Sequence, residues 1–231
     1  FRAVLSAGQT FKLAKSVRVN GKTRPFSAVF TVMNDDQEVV LQKFVHDQSF
    51  ASIQKCVQTL DARLKKQDPS LGDPTGAAIP FYIDNCCQFR RLILESMPSV
   101  GRRVTIKLDL FHWIRRWTRK VKLNTPEGVF MMSRIREITR NGKANVIRLP
   151  SVLMPEFEQL RLTDEWQAIA RRNKQWERVW ANQMKHLVCL ADPAGRYLAA
   201  RGTQESYHAS VNDHVLARTT GGPEFVAATL F

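Results

Sequence analysis

Three features of the sequence predict an α/β fold, a mixed sheet with helices and a late all-helical insertion. The first 33 residues carry β-type apolar runs punctuated by turn signals. Two later apolar runs, Ile79–Ile83 and Val104–Leu108, each lead into an aspartate and flank a helical segment. From Asn124 to about Ala191, strand signals give way to apolar residues at helical spacing.

Phe11, Leu13, Val17 and Val19 fit an alternating pattern with one interruption, so the opening reads as a strand, a tight bend at Ala7-Gly8-Gln9 and a second strand. Asn20-Gly21 is a strong hairpin signal, and Pro25 to Met33 supplies a third strand. Asn34-Asp35-Asp36 is a turn, and Gln37 to Val45 reads as short helix or irregular chain. Ser49 is placed to cap a helix whose apolar positions are Ile53, Val57, Leu60 and Leu64. That helix closes on Lys65-Lys66, where the macrodipole favours cations. Residues 68–76 have the composition of a surface loop.

Ile79–Ile83 is the fourth strand and delivers Asp84. Phe89, Leu92, Ile93 and Met97 make the next helix, which Pro98 helps to stop. Val104–Leu108 is the fifth strand. Asp109 then begins a helix to about Lys122, with Phe111, Ile114, Trp117 and Val121 inside and Arg115, Arg116, Arg119, Lys120 and Lys122 largely outside. The order β-β-β-α-β-α-β-α resembles the plan of the ribonuclease H fold.

The insertion opens with a helix-like stretch, Glu127 to Arg140, broken at Asn141-Gly142, and Pro150 and Pro155 bracket an irregular join. Trp166, Ile169, Trp176, Trp180, Met184 and Leu187 then follow helical spacing over a basic run with Arg171, Arg172, Lys174 and Arg178. The tryptophans share one face, which favours core packing over base stacking. Further on, Thr203 can cap a helix that carries Glu205, His208 and Asn212 on one face. Three parts result: residues 1–123 as the first part of the core, 124–195 as the helical insertion, and 196–231 as the return to the core.

The formal charge of +14 and a pI near 10.1 favour a polyanion partner, nucleic acid first. Arg115, Arg116, Arg119, Lys120, Arg171, Arg172 and Lys174 are the candidate contacts. No apolar run approaches the roughly 20 residues needed to span a bilayer, and a signal-peptide plan is missing, so no membrane role is expected. A start at Phe1 and a stop just after an apolar run suggest a segment of a longer protein. The four cysteines, Cys56, Cys86, Cys87 and Cys189, form no C-x-x-C pair and lie at no zinc-finger spacing with histidine, so a reducing compartment is expected. Adjacent cysteines rarely chelate one ion, so Cys86 and Cys87 read as helix packing.

Phosphodiester chemistry with two divalent metals needs anionic oxygen ligands that converge. Asp84 at a strand end and Glu205 on a late helix are suitable types at suitable places. Asp84, then Asp109-x-x-His112 one strand–helix unit later, then a helical insert, then Gly202-Thr203-Gln204-Glu205, resembles the DDE cut-and-paste transposases of eukaryotes. Within them the pattern is similar to the Mutator-like, hAT and related superfamilies, which carry a C/D-x-x-H motif.

The resemblance implies that Asp84 and Glu205 ligate Mg²⁺ or Mn²⁺ in a two-metal site, and that Asp109 and His112 shape that site, with His112 near the scissile phosphate. It also implies transposon-end and target DNA as partners, a homo-oligomer, and a nuclear location. Two bland readings stand beside it: Asp109 as a helix N-cap and His112 as a half-buried core histidine. The departure is at the first metal ligand, where the family has Asp and this chain has Gly8 within Ala7-Gly8-Gln9-Thr10-Phe11. Asp35 and Asp36 are the nearest acids downstream and fall in a turn. Ligation by Asp84 and Glu205 alone is expected to be weak. The expectation therefore divides between a metal-dependent strand-transfer enzyme, an inactive transposase-derived DNA-binding or assembly module, and another ribonuclease H-like nuclease.

Overall fold

The computed structural model describes residues 4–11, 14, 17, 24–34, 36, 38–121, 124–139 and 147–191. Its centre is a five-stranded mixed sheet of β1 (Leu5–Thr10), β2 (Ala28–Asn34), β3 (Val39–Val45), β4 (Ile79–Ile83) and β5 (Val104–Leu108), in the order β3-β2-β1-β4-β5. The first three strands are antiparallel neighbours and the last two are parallel. The described chain divides into two compact units: one comprises the chain to Phe81 with Gln88–Thr105, the other Tyr82–Cys87 with the chain from Ile106.

In the first unit, β2 is buried along its whole length, as its apolar run Ala-Val-Phe-Thr-Val-Met requires. The bend expected at Ala7-Gly8-Gln9 does not form. β1 runs straight through it, pairing Ala7 with Val32, Gly8 with Thr31 and Gln9 with Phe30. Leu5, Ala7 and Gly8 are buried, so this glycine lies within an inner strand rather than in a turn. The expected second strand and the Asn20-Gly21 hairpin lie almost wholly outside the described residues.

A second correction concerns residues 37–45, where a third strand replaces the expected short helix or irregular chain. In β3, Leu41 and Val45 are buried while Val39 is exposed, the half-buried pattern of a strand covered on one face. The β2–β3 register shifts at Val32/Met33, where Val32 pairs with Leu41 and Met33 with Val39, so Val40 is passed over as in a bulge. The β2–β3 connection is closed by Asn34, whose Nδ2 donates to Glu38 Oε2 (2.8 Å) and whose Oδ1 accepts from Glu38 N (2.9 Å).

Helix α1 (Phe50–Gln67) buries Ile53, Val57, Leu60 and Leu64 and ends on Lys65 and Lys66, as predicted. Ser49 occupies the N-cap, but its hydroxyl does not cap the helix. It donates instead to Asp47 Oδ1, which also accepts from Ser49 N (2.7 Å) and Ser52 Oγ (2.7 Å). Buried Asp61 of α1 accepts from the backbone N–H groups of Ser99 (3.1 Å) and Val100 (2.9 Å). Those two bonds fix the turn between α2 (Cys86–Glu95) and β5.

In the second unit, α3 (Leu110–Thr118) is shorter than expected and turned on its axis. Trp117 and Val121 are buried as expected, Leu110 and Trp113 join them, and Phe111 is exposed while Ile114 is only half-buried. The two indoles, four residues apart, set the buried face because they carry the largest apolar area. Helices α4 (Pro126–Thr139), α5 (Pro150–Arg161), α6 (Asp164–Arg172), α7 (Trp176–Lys185) and α8 (Leu187–Leu190) follow.

The irregular join expected between Pro150 and Pro155 is α5 itself. Pro150 sits in the first turn, where no N–H is needed, and Pro155 is carried inside the helix while Leu153, Phe157 and Leu160 are buried. The helical run from Trp166 breaks at Asn173, which is extended at φ −130° and ψ 96°. Its side chain takes over two backbone groups: Nδ2 donates to Lys120 O (2.8 Å) and Oδ1 accepts from Gln175 N (3.0 Å).

The tryptophans form the core of this unit, with Trp113, Trp117, Trp166, Trp176 and Trp180 all buried. Trp117 is central, parallel to Phe157 at 6.2 Å and edge-on to Trp176 at 5.3 Å. Trp113 Nε1 donates to Gln183 O (3.3 Å) and Trp166 Nε1 to Glu177 Oε1 (3.2 Å), so these indoles bury their rings and keep a polar partner. No helix among the described residues is long and apolar enough to cross a membrane.

Candidate functional site

β4 is an unbroken buried apolar run, and Asp84 is the first residue beyond it. Its side chain keeps 43% of its exposure and meets Arg116 of α3. Arg116 Nη2 donates to Asp84 Oδ1 (2.8 Å) and to the Asp84 main-chain oxygen (2.7 Å). One guanidinium nitrogen thus holds both the carboxylate and the backbone turn that presents it.

Asp109 stands at the corresponding end of β5, and its N–H donates to Ile83 O (3.4 Å). The two strand ends are therefore tied together one residue before Asp84. Asp109 is buried as the N-cap of α3, its Oδ1 accepting from His112 N (3.2 Å). His112 Nδ1 lies 3.6 Å from the same oxygen. The Asp109-x-x-His112 motif is thus a contact within the first turn of α3, and the capping geometry accounts for it.

The basic candidates differ in their surroundings. Arg115, Arg119, Arg171 and Lys174 are exposed, and exposed Lys120 donates to Gln175 Oε1 (2.9 Å). Arg116 is committed to Asp84. Arg172 pairs with Glu127 Oε1 (3.0 Å). The Glu127 carboxyl is held below the usual range by a backbone hydrogen bond at the start of α4 and by the Arg172 charge. Gly8 is buried in β1, opposite Thr31. Glu205 lies outside the described residues, as do Thr203, His208 and Asn212.

A second constellation went unread in the sequence. Cys86 and Cys87 open α2, His186 stands between α7 and α8, and Cys189 lies in α8. Their candidate ligand atoms all fall within 4.8 Å of one another. Cys87 Sγ is 3.6 Å from Cys86 Sγ, 3.4 Å from Cys189 Sγ and 3.4 Å from His186 Nδ1. None of these cysteines is in a disulfide. The Cys86 thiol is pushed far up, first by its hydrogen bond with Cys189, then by burial and the neighbouring thiols.

Reading Cys86 and Cys87 as helix packing describes Cys86, which is buried, and misses Cys87, which is exposed. The available signal was His186-x-x-Cys189, a chelate spacing on one helical turn whose partner pair lies about a hundred residues earlier. No protein-family model matches the chain, and no curated protein or solved structure shows a significant match to it.

Proposed function

We propose that this chain is the ribonuclease H-like domain of a DDE-type transposase that engages DNA but lacks its own metal-dependent cleavage. The observation that carries this reading is the site order within the strand order. Asp84 follows β4 of a sheet ordered β3-β2-β1-β4-β5, and Asp109-x-x-His112 follows β5 after one helix. Three antiparallel strands extended by two parallel ones is the ribonuclease H plan, and strand ends are where α/β sheets keep their sites.

Gly8 supports the silent state. It stands at the first ligand position of the family pattern and offers no oxygen to Mg²⁺ or Mn²⁺. Arg116 supports it as well, because its cation occupies the Asp84 carboxylate. Glu205 would be the remaining ligand. DNA engagement draws on Arg115, Arg119, Lys120, Arg171, Arg172 and Lys174 and on the net charge of +14. A homo-oligomer and a nuclear location belong to the same reading.

The test is a nicking assay on duplex DNA with Mg²⁺ and Mn²⁺, run on the chain and on Gly8→Asp, beside a salt titration of DNA affinity. The expected result is salt-steep binding by both proteins and nicking by Gly8→Asp alone. Robust cleavage by the unaltered chain would overturn the silent state. Salt-insensitive binding would overturn the DNA assignment.

A further inference from the structure

We propose that Cys86, Cys87, His186 and Cys189 form a structural zinc site that pins the residues following Asp84 to the end of the helical segment. This inference does not depend on the transposase reading. It uses other residues and another kind of metal.

The argument begins with geometry. Zinc–sulfur bonds of about 2.3 Å and zinc–nitrogen bonds of about 2.0–2.1 Å put the corners of a tetrahedron roughly 3.5–3.8 Å apart. The contacts around Cys87 Sγ are 3.6, 3.4 and 3.4 Å, close to those edges from one corner. All four atoms lie within 4.8 Å of one another, so the set can close on one ion with small side-chain adjustments.

Chemistry selects the metal. Three sulfurs and one imidazole nitrogen are a soft set that suits zinc and disfavours Mg²⁺ and Mn²⁺, which prefer oxygen. Four protein ligands complete the tetrahedron and leave no position for water or substrate, which marks the site as structural rather than catalytic. The adjacent pair is workable because Cys86 and Cys87 sit at the start of α2, where the chain leaves the turn after β4. Cys86 is buried and Cys87 exposed, and their sulfurs lie 3.6 Å apart. His186 and Cys189, on the short link from α7 through α8, supply the other two corners.

The placement gives the ion a task. Cys87 and Cys189 are 102 positions apart in the chain, and the cross-link ties the sheet end that carries Asp84 to the last described helix of the same unit. Zinc here orders the segment that presents the carboxylate without touching it. Asp84 and the metal ligands are separated only by Asn85.

The whole chain, purified under reducing conditions, is dialysed against a weak chelator and its metal content measured. The expected result is about one tightly held zinc per chain. Cobalt exchanged for zinc should give the visible spectrum of tetrahedral cobalt with thiolate-to-metal charge transfer. Cys87→Ser and Cys189→Ser should lose both signals, Cys56→Ser should keep both, and His186→Cys should retain the metal with a spectrum shifted toward four sulfurs. The wild-type measurements stand even if a serine variant fails to fold. Loss of zinc at the dialysis step with no cobalt charge transfer would overturn the proposal. So would recovery of a Cys87–Cys189 disulfide in place of the metal.

Discussion

Arg116 and Asp84 are joined twice, side chain to carboxylate at 2.8 Å and side chain to main-chain oxygen at 2.7 Å, through one guanidinium nitrogen. The pair is partly exposed, with 26% and 43% of the two side chains accessible, so water screens it. Arg116→Met should therefore cost about 1 kcal/mol, read as a fall in the urea midpoint at unchanged slope. A loss several times larger would mean that the main-chain bond dominates.

On the transposase reading proposed above, Gly8→Asp should supply a first carboxylate and with it Mn²⁺-dependent nicking of duplex DNA. The double variant Gly8→Asp/Arg116→Met should nick at lower Mn²⁺ than Gly8→Asp, because the competing cation at Asp84 is gone. Equal Mn²⁺ dependence in the two would show that Arg116 does not compete with metal. Single-turnover assays over a Mn²⁺ series make the comparison.

DNA affinity should fall steeply between low and physiological salt, as counterion release requires. Arg171→Ala and Lys174→Ala remove exposed cations, and each is expected to lower the logarithmic salt slope by about one if it meets a phosphate. Arg172→Ala should have less effect, since Glu127 already partners that charge. Fluorescence anisotropy with a labelled duplex, repeated at several salt concentrations, measures all three.

Trp117→Ala should be the most damaging single change in the helical unit. The indole is fully buried and contacts the rings of Trp113, Phe157, Trp166, Trp176 and Trp180. A loss of about 3–5 kcal/mol is expected from the cavity and the lost ring contacts. Near-ultraviolet circular dichroism should weaken with it. An intact near-ultraviolet spectrum and unchanged stability would contradict the placement of this side chain.

Asp47 gives the pH prediction. Hydrogen bonds from the Ser49 and Ser52 side chains, then from the Ser49 backbone, hold its carboxyl below the usual value of 3.8. A lowered folded-state value means that stability is present above the ordinary carboxylate range and is lost as pH falls through the lowered value. Asp47→Asn should flatten that part of the acid limb of the stability curve. Thermal melts from neutral pH down to the acid limb test this.

Much of the fold was legible because β4, β5 and α1 are locally determined. Ile79–Ile83 is a short continuous apolar run, Val104–Leu108 alternates apolar residues with Thr105 and Lys107, and the spacing of Ile53, Val57, Leu60 and Leu64 leaves one helical face. The errors arose where partners across the fold override local signals. Gly8 looks like a turn residue until Thr31 pairs with it, and in β3 the apolar Val40 and Phe44 on the half-buried face blur the alternation of Leu41 and Val45. Pro150 and Pro155 suggested an irregular join, yet the burial of Leu153, Phe157 and Leu160 makes a helix of that stretch.

The candidate site was legible only in part, for the same reason. Asp84 and Asp109 could be placed because each directly follows a strand. The thiol cluster could not, because its halves lie about a hundred residues apart and the His186-x-x-Cys189 spacing gains meaning only once Cys86 and Cys87 are brought beside it. The capping role of Asp109 was visible as an alternative, and the bond to His112 N realises it.

The packing of α3 has an optical consequence. On two successive turns this helix carries Trp113 and Trp117 into the aromatic core, and between them Arg116 reaches Asp84. A rotation of α3 that released Asp84 would also re-angle Trp117 against Trp176 and Phe157, at 5.3 and 6.2 Å. Intrinsic emission would report such a rotation without any added dye.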